Sequence, residues 1–327
     1  MSNQVAFLYH DVFDGRGFSR IKESWRRYRL ARNLFRELHL LPPEELAIAE
    51  PASDYPIAEI VPSPPTDEEI LRVHTVAHLQ HVRDADARGT GFLDYGDTPA
   101  WPGVFRRASL AVGGTILAAR LVASGQYRRA FNPAGGLHHA QHDRAGGFCV
   151  FNDAGILLEE LKRRGLPRIA YVDIDAHHGD GVYYDFEADP CVLVADIHED
   201  GRSLYPGTGS HEEQGLGAAS GSKLNIPLPA GASDPEFLAA WAEVEDFVRE
   251  ARPEIILLQA GADSIAGDPL THLAFTPAAH RHATRRLCRI AAEYAQGRVL
   301  VMGGGGYKLE NIGATWSGVL EELLADC

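Results

Sequence analysis

Short apolar runs with little internal alternation recur along the chain. They fall at residues 4–9, 129–132, 169–175 (IAYVDID), 192–198 (VLVADIH), 223–228, 255–260 (IILLQA) and 298–302 (RVLVM). Runs of this length predict parallel strands covered on both faces. Between them, apolar positions at helical spacing predict helices at about 22–40, 66–88, 102–125, 153–164, 234–251, 277–296 and 309–325. Start signals sharpen two of these: Ser233-Asp234-Pro235-Glu236 and Thr276-Pro277 each put a capping side chain before a first-turn proline. Strands alternating with helices predict a three-layer α/β architecture. The stretches IVPSPPTDEE (60–69) and HEEQGLGAASGSK (211–223) read as loops too short for linkers, and no repeat is present. One domain over residues 1–327 is expected.

Composition narrows the class. The chain is 45% hydrophobic and 23% charged, with ample material for a core. Its formal net charge of −14 speaks against nucleic acid as the main partner, since phosphate affinity needs clustered Lys and Arg. The same charge mildly favours cationic substrates through long-range steering. Cys149, Cys191, Cys288 and Cys327 form no closely spaced pair, which suits a reducing cytoplasm. The N-terminus lacks the pattern of a signal peptide. The most apolar stretch, ASLAVGGTILAARLVASG, is broken by Arg120, so no membrane span is expected.

In parallel sheets, ligands collect beyond the carboxyl ends of the strands, and the reactive side chains cluster there. In YVDIDAHHGDG (171–181), Asp173, Asp175 and His177 alternate, which turns them to one side and Ile174 and Ala176 to the other. Other predicted strands run out into His138-His139, Asp196 with His198, Asp263, and Tyr307 after four glycines. Asp175, His177 and Asp263 make a set of two carboxylates and one imidazole that suits a divalent metal, with an open fourth position as in catalytic zinc sites. A solvated acidic loop or an ion-pair network would show the same residues. His138 and His139 suit proton transfer if Asp173 and Asp180 orient them, or they are hydrogen-bonded loop histidines. His142 reads as exposed. GGGGY lacks the Lys-Ser/Thr of a phosphate loop, and Tyr307 is either an oxyanion donor or a core tyrosine.

Together GGLHHA, GFCVFND, YVDIDAHHGDGV, YPGTG, GADSIAGDPL and GGGGY, in this order, resemble the histone deacetylase superfamily. That group also holds acetylpolyamine amidohydrolases and acetoin-utilisation proteins. The resemblance runs from about residue 91 to 316. It implies an arginase/deacetylase α/β fold with a central, mostly parallel eight-stranded sheet, and zinc held by Asp175, His177 and Asp263. It implies His139 as general base toward the water on zinc, and as acid for the leaving amine. His138 becomes its electrostatic partner, with Asp173 and Asp180 as the two carboxylates behind the histidines. Tyr307 becomes the oxyanion donor. Phe148 and Tyr205 become aromatic channel walls, with Gly147 and Leu270 beside them and Asp97 at the rim. Potassium near Asp173 and Asp196 is a secondary implication. His178 is left as structural.

Three departures bear on selectivity. The segment 14–30 differs from the family's usual N-terminal stretch, with Arg27 able to fill its basic role. Leu137 precedes the histidine pair where an aromatic or proline is common. Tyr205 adds a hydroxyl where many relatives carry Phe. The expected substrate is an acetylated amine, either an acetyl-lysine peptide, toward which Asp97 points, or an acetylpolyamine. A homo-oligomer is compatible with all of this. The alternatives are an arginase-like binuclear manganese hydrolase on the same fold and a non-catalytic module that binds acylated ligands.

Overall fold

The computed structural model describes residues 2–15, 26–42 and 55–325. Eight strands form one sheet: β1 (Ser2–Leu8), β2 (Ile57–Ile60), β3 (Tyr127–Asn132), β4 (Ile169–Asp173), β5 (Val192–Glu199), β6 (Lys223–Leu228), β7 (Ile255–Gln259) and β8 (Val299–Met302). Their order is β2-β1-β3-β8-β7-β4-β5-β6, and every pairing is parallel. The helices are α1 (Arg27–Glu37), α2 (Asp67–Ile70), α3 (Val76–Arg88), α4 (Val104–Ala123), α5 (Asp153–Arg163), α6 (Asp180–Phe186), α7 (Asp234–Ala251), α8 (Pro277–Tyr294) and α9 (Leu309–Leu324).

Burial explains why the strands read as unbroken apolar runs. Along β4, Ala170 and Val172 join the core under α1, α7, α8 and α9, while Ile169 and Tyr171 join the core under α4, α5 and α6. Both faces are dry, so successive residues are apolar whichever way they point. The register aligns the ends of the central strands in one row: Asn132 pairs with Met302, Met302 with Gln259, Gln259 with Asp173, and Asp173 with Asp196. The loops leaving that row carry the candidate site.

Several expectations are corrected. The stretch before residue 60 forms a short edge strand, β2, which four residues of mixed character did not signal. Asp67–Ile70 is a helix with a Thr66 capping box, not loop, and the expected helix at 66–88 breaks between α2 and α3. The strand at 169 ends at Asp173, so Asp175 and His177 stand on the following loop. The helix α6, starting at Asp180, was missed because its seven residues follow a polar run. The expected helix start at 22, most of the divergent segment 14–30, and Cys327 lie outside the described residues. No helix among the described residues is long and apolar enough to cross a membrane.

Candidate active site

Four adjacent strands, β3, β8, β7 and β4, send their carboxyl-terminal loops to one place. Asp175 and His177 leave β4, Asp263 leaves β7, His138 and His139 leave β3, and Gly305 and Tyr307 leave β8. Ligand atoms of Asp175, His177 and Asp263 lie within 4.8 Å of one another, the metal-type cluster found among the described residues. His177 Nδ1 is 3.1 Å from Asp175 Oδ1 and 3.2 Å from Asp263 Oδ2. The remaining Asp175 oxygen accepts hydrogen bonds from Gln259 Nε2 and Gly305 N, each at 2.8 Å.

The glycines here serve close approach. A Cβ on Gly261 would fall inside the Asp175 carboxylate, and one on Gly305 inside that of Asp263. The carboxylates therefore sit in a cradle of bare backbone. One imidazole faces two buried carboxylates, which it cannot balance. Burial and the neighbouring Asp175 charge push the Asp263 carboxyl up to about 7. Burial opposes a charge on His177, but the two carboxylates outweigh it and raise its pKa to about 10. A divalent cation fits this donor set: two carboxylates, one imidazole and an open side.

The tandem histidines do not splay to opposite sides as an extended backbone would place them. Their rings lie 4.2 Å apart, with Nε2 atoms 3.2 Å from each other. A distinct carboxylate holds each far nitrogen: Asp173 Oδ2 is 2.8 Å from His138 Nδ1, and Asp180 Oδ1 is 2.6 Å from His139 Nδ1. Burial would depress both imidazoliums, yet they part ways. The carboxylates of Asp173, Asp175 and Asp196 raise His138 to about 10. His139, desolvated and facing the His138 charge, falls to about 4. At neutral pH the pair holds one charge, on His138, and the unprotonated Nε2 of His139 faces the His138 Nε2–H at 3.2 Å.

A cavity of about 260 Å3 opens onto this centre. Its lining runs from the exposed Asp97 and the 45% exposed Tyr205 through Phe148, Gly147, Leu204 and Leu270 to the buried Tyr28 and Arg107. Tyr307 packs against Phe148 with ring centroids 5.9 Å apart, and burial drives its hydroxyl pKa well above the ordinary tyrosine value. Arg27 donates to Gly306 O at 3.0 Å, beside the Tyr307 backbone.

Positioning residues escaped the sequence reading. Asp153 accepts from Gly136 N, Leu137 N and Thr115 Oγ1 and so holds the histidine loop. Gln259 donates to Asp175 and Gly136 O. Asp268 accepts the Tyr307 amide at 2.8 Å. Glu199, buried at the end of β5, accepts from Ser203 Oγ and His272 N, tying the Tyr205 loop to the Leu270 segment. A lone polar residue closing an apolar run, as at Gln259, was the available signal. His142 is exposed, and the buried His178 binds Thr208 Oγ1 at 2.9 Å.

Asp173 and Asp196 lie close together, and both already have protein donors. Asp173 accepts from Tyr171 OH, Asp175 N and His138, and Asp196 from Gly179 N and His198. These contacts leave no second bridging carboxylate set for a binuclear centre among the described residues.

The histone deacetylase domain family matches residues 22–323. The chain belongs to the histone deacetylase family. Within that family it is 40% identical over 258 residues to the acetoin utilization protein AcuC of Bacillus subtilis (strain 168), covering 76% of this chain and 67% of that protein. It is 31% identical to AcuC of Staphylococcus aureus (strain MSSA476) over 334 residues, covering 99% of this chain and 82% of that one. A probable deacetylase of Archaeoglobus fulgidus is 38% identical over 247 residues, covering 74% of this chain and 67% of its own. The crystal structure of the HDA15 HD domain superposes with a TM-score of 0.87 at 26% identity, covering 98% of this chain and 89% of the other. The expected α/β fold with its eight-stranded sheet is thus that of this family, and the sheet is wholly parallel.

Proposed function

We propose that this chain is a zinc-dependent amide hydrolase that removes an acetyl or other acyl group from an acetyl-lysine peptide or an acetylpolyamine. The observation that carries the reading is the pairing of one carboxylate-oriented histidine, His139 against Asp180, with a buried Asp175, His177 and Asp263 donor set inside an aromatic-walled cavity. Asp175, His177 and Asp263 would hold zinc, which when bound supplies Lewis-acid polarisation of the amide carbonyl and activation of water.

The chain's own residues do the rest. His139 Nε2 accepts a proton from the attacking water and returns it to the nitrogen of the departing amine. Asp180 keeps the His139 ring in one tautomer and stabilises the imidazolium as it forms. His138, already charged against Asp173, lowers the energy of negative charge developing nearby. The Tyr307 hydroxyl, kept protonated by burial, donates to the carbonyl oxygen as it becomes an oxyanion. Phe148, Tyr205, Gly147 and Leu270 grip a linear stem, each buried methylene contributing ~0.8 kcal/mol. Asp97 at the exposed mouth accepts from peptide N–H groups or from a polyamine ammonium.

We take residues 1–327 as one catalytic domain acting in the cytoplasm. A potassium ion near Asp173 and Asp196 is a secondary part of the reading, since these two buried carboxylates stand on paired positions of adjacent strands.

The test is acetate release from an acetyl-lysine peptide and an acetylated polyamine, with zinc-loaded protein and a chelated control. Zinc-dependent release supports the reading, and the ratio of rates assigns the substrate. No release from either substrate, with zinc bound in stoichiometric amount, would sink it.

A further inference from the structure

Among the described residues, Phe148 is the one non-glycine residue lining the cavity with a left-handed backbone. Its φ is 68°, directly after Gly147 at 50°. A bulky aromatic residue in the left-handed region is strained. Gly146 and Cys149 close this turn with reciprocal backbone hydrogen bonds of 3.0 and 2.7 Å. Two left-handed residues inside such a closure are the pattern of a type I′ turn. The closure uses neither central amide, and that of Phe148 donates outside the turn to the Thr98 hydroxyl at 3.1 Å.

That hydroxyl is fully buried, and its neighbours dictate its roles. An amide only donates and a carboxylate only accepts. Thr98 Oγ1 therefore takes the Phe148 N–H and gives its own proton to Asp94 Oδ2 at 2.5 Å. Asp94 in turn accepts the amides of Gly96, Asp97 and Thr98 at 2.8–3.0 Å. Burial alone would raise this carboxyl, but the Thr98, Gly96 and Asp97 donors outweigh it and keep it below its ordinary value. One carboxylate thus shapes the loop that presents the exposed Asp97 at the mouth. Through Thr98 it also anchors the strained turn that presents Phe148 as a wall.

We propose that Thr98 is a positioning residue for substrate. Its hydroxyl couples the Asp97 rim to the Phe148 wall and so sets how tightly the cavity grips a linear amide, while touching neither the substrate nor the reacting atoms. The substrate part of this inference rests on the amidohydrolase reading. The backbone part does not.

The experiment compares Thr98→Val and Thr98→Ser with the parent, each as full-length zinc-loaded protein. Valine keeps the shape but leaves the Phe148 amide without its buried partner, and Asp94 Oδ2 with only the residue 98 amide. The expected result for valine is a KM for an acetyl-lysine peptide raised about tenfold, with kcat within about threefold. Amide hydrogen exchange at Phe148 should also be faster, and serine should restore both readouts. A valine variant with parental KM and exchange overturns the proposal. So does a serine variant as impaired as valine, or a loss confined to kcat. If the parent hydrolyses no amide, the amidohydrolase reading fails, and exchange at Phe148 still decides the positioning role. Should the valine variant not fold, Thr98→Ala is read against Thr98→Ser in the same two assays.

Discussion

His138 and His139 are chain neighbours with opposite protonation, and the cause is local. His138 meets three carboxylates, whereas His139 meets one carboxylate and the His138 charge. Tyr307 is held neutral in the same way, by burial beside Asp263. Tyr307→Phe removes only a donor, so kcat should fall by about a hundredfold to a thousandfold with KM little changed. Steady-state kinetics check this, and full turnover would remove Tyr307 from its role. A second residue-scale prediction concerns stability. Glu160 on α5 accepts from Arg72, Arg120 and Arg164 at 2.5, 2.9 and 2.8 Å. Burial opposes ionisation, but the Arg120, Arg164 and Arg72 bonds win and lower its pKa from 4.5 to about 2. A depressed carboxyl stabilises the fold above its unfolded value. Its contribution is therefore complete above pH 4.5 and lost as pH falls toward 2. Glu160→Gln should cost about 1–2 kcal/mol at pH 7, after allowing for solvent screening, and almost nothing near pH 2. Denaturant unfolding at several pH values measures both ends.

Helices and strands bring the site together through adjacency rather than through chain order. The central strands β3, β8, β7 and β4 are neighbours in the sheet although the chain visits them far apart. The long apolar runs were legible because both faces of the sheet are covered, so burial writes itself into every position. The short elements were not. β2 has four residues at the sheet edge, and α6 begins among the polar residues of the site itself. Packing between elements also reverses a local rule. Gly113 lies inside α4, where alanine would ordinarily gain about 1 kcal/mol. A Cβ there would collide with the Ser63 carbonyl of the segment after β2, which is backbone and cannot swing aside. Gly113→Ala should therefore destabilise by about 1–3 kcal/mol. A melting temperature equal to or above the parent's would refute that packing.

For the molecule as a whole, the net charge of −14 creates a field that reaches beyond any one contact. Under the proposed function, kcat/KM for a cationic acetyl-lysine peptide should fall as salt rises, while that for a neutral analogue of the same length stays flat. Parallel salt curves for the two would show that the charge does not steer substrate.

Side-chain periodicity was enough to read the layered α/β architecture and most strands and helices from the chain alone, because a covered parallel sheet demands apolar residues in short blocks. Residue type was enough to nominate Asp175, His177 and Asp263 as a metal set, because charged groups at strand ends are costly without a purpose. Roles for His138, His139 and Tyr307 followed from the resemblance of six ordered motifs to a known family. Which of them meet was decided by the tertiary structure. The aligned row of strand ends sets Asp263 against Asp175, and the turn at 138–139 folds both rings to one point. The same holds for the supporting groups. Thr98 and Asp94 reach Phe148, and Asp153 reaches the histidine loop, through hydrogen bonds between distant segments. No local pattern encodes such bonds, because a hydrogen bond depends on where two groups end up and not on what stands beside either of them in the chain.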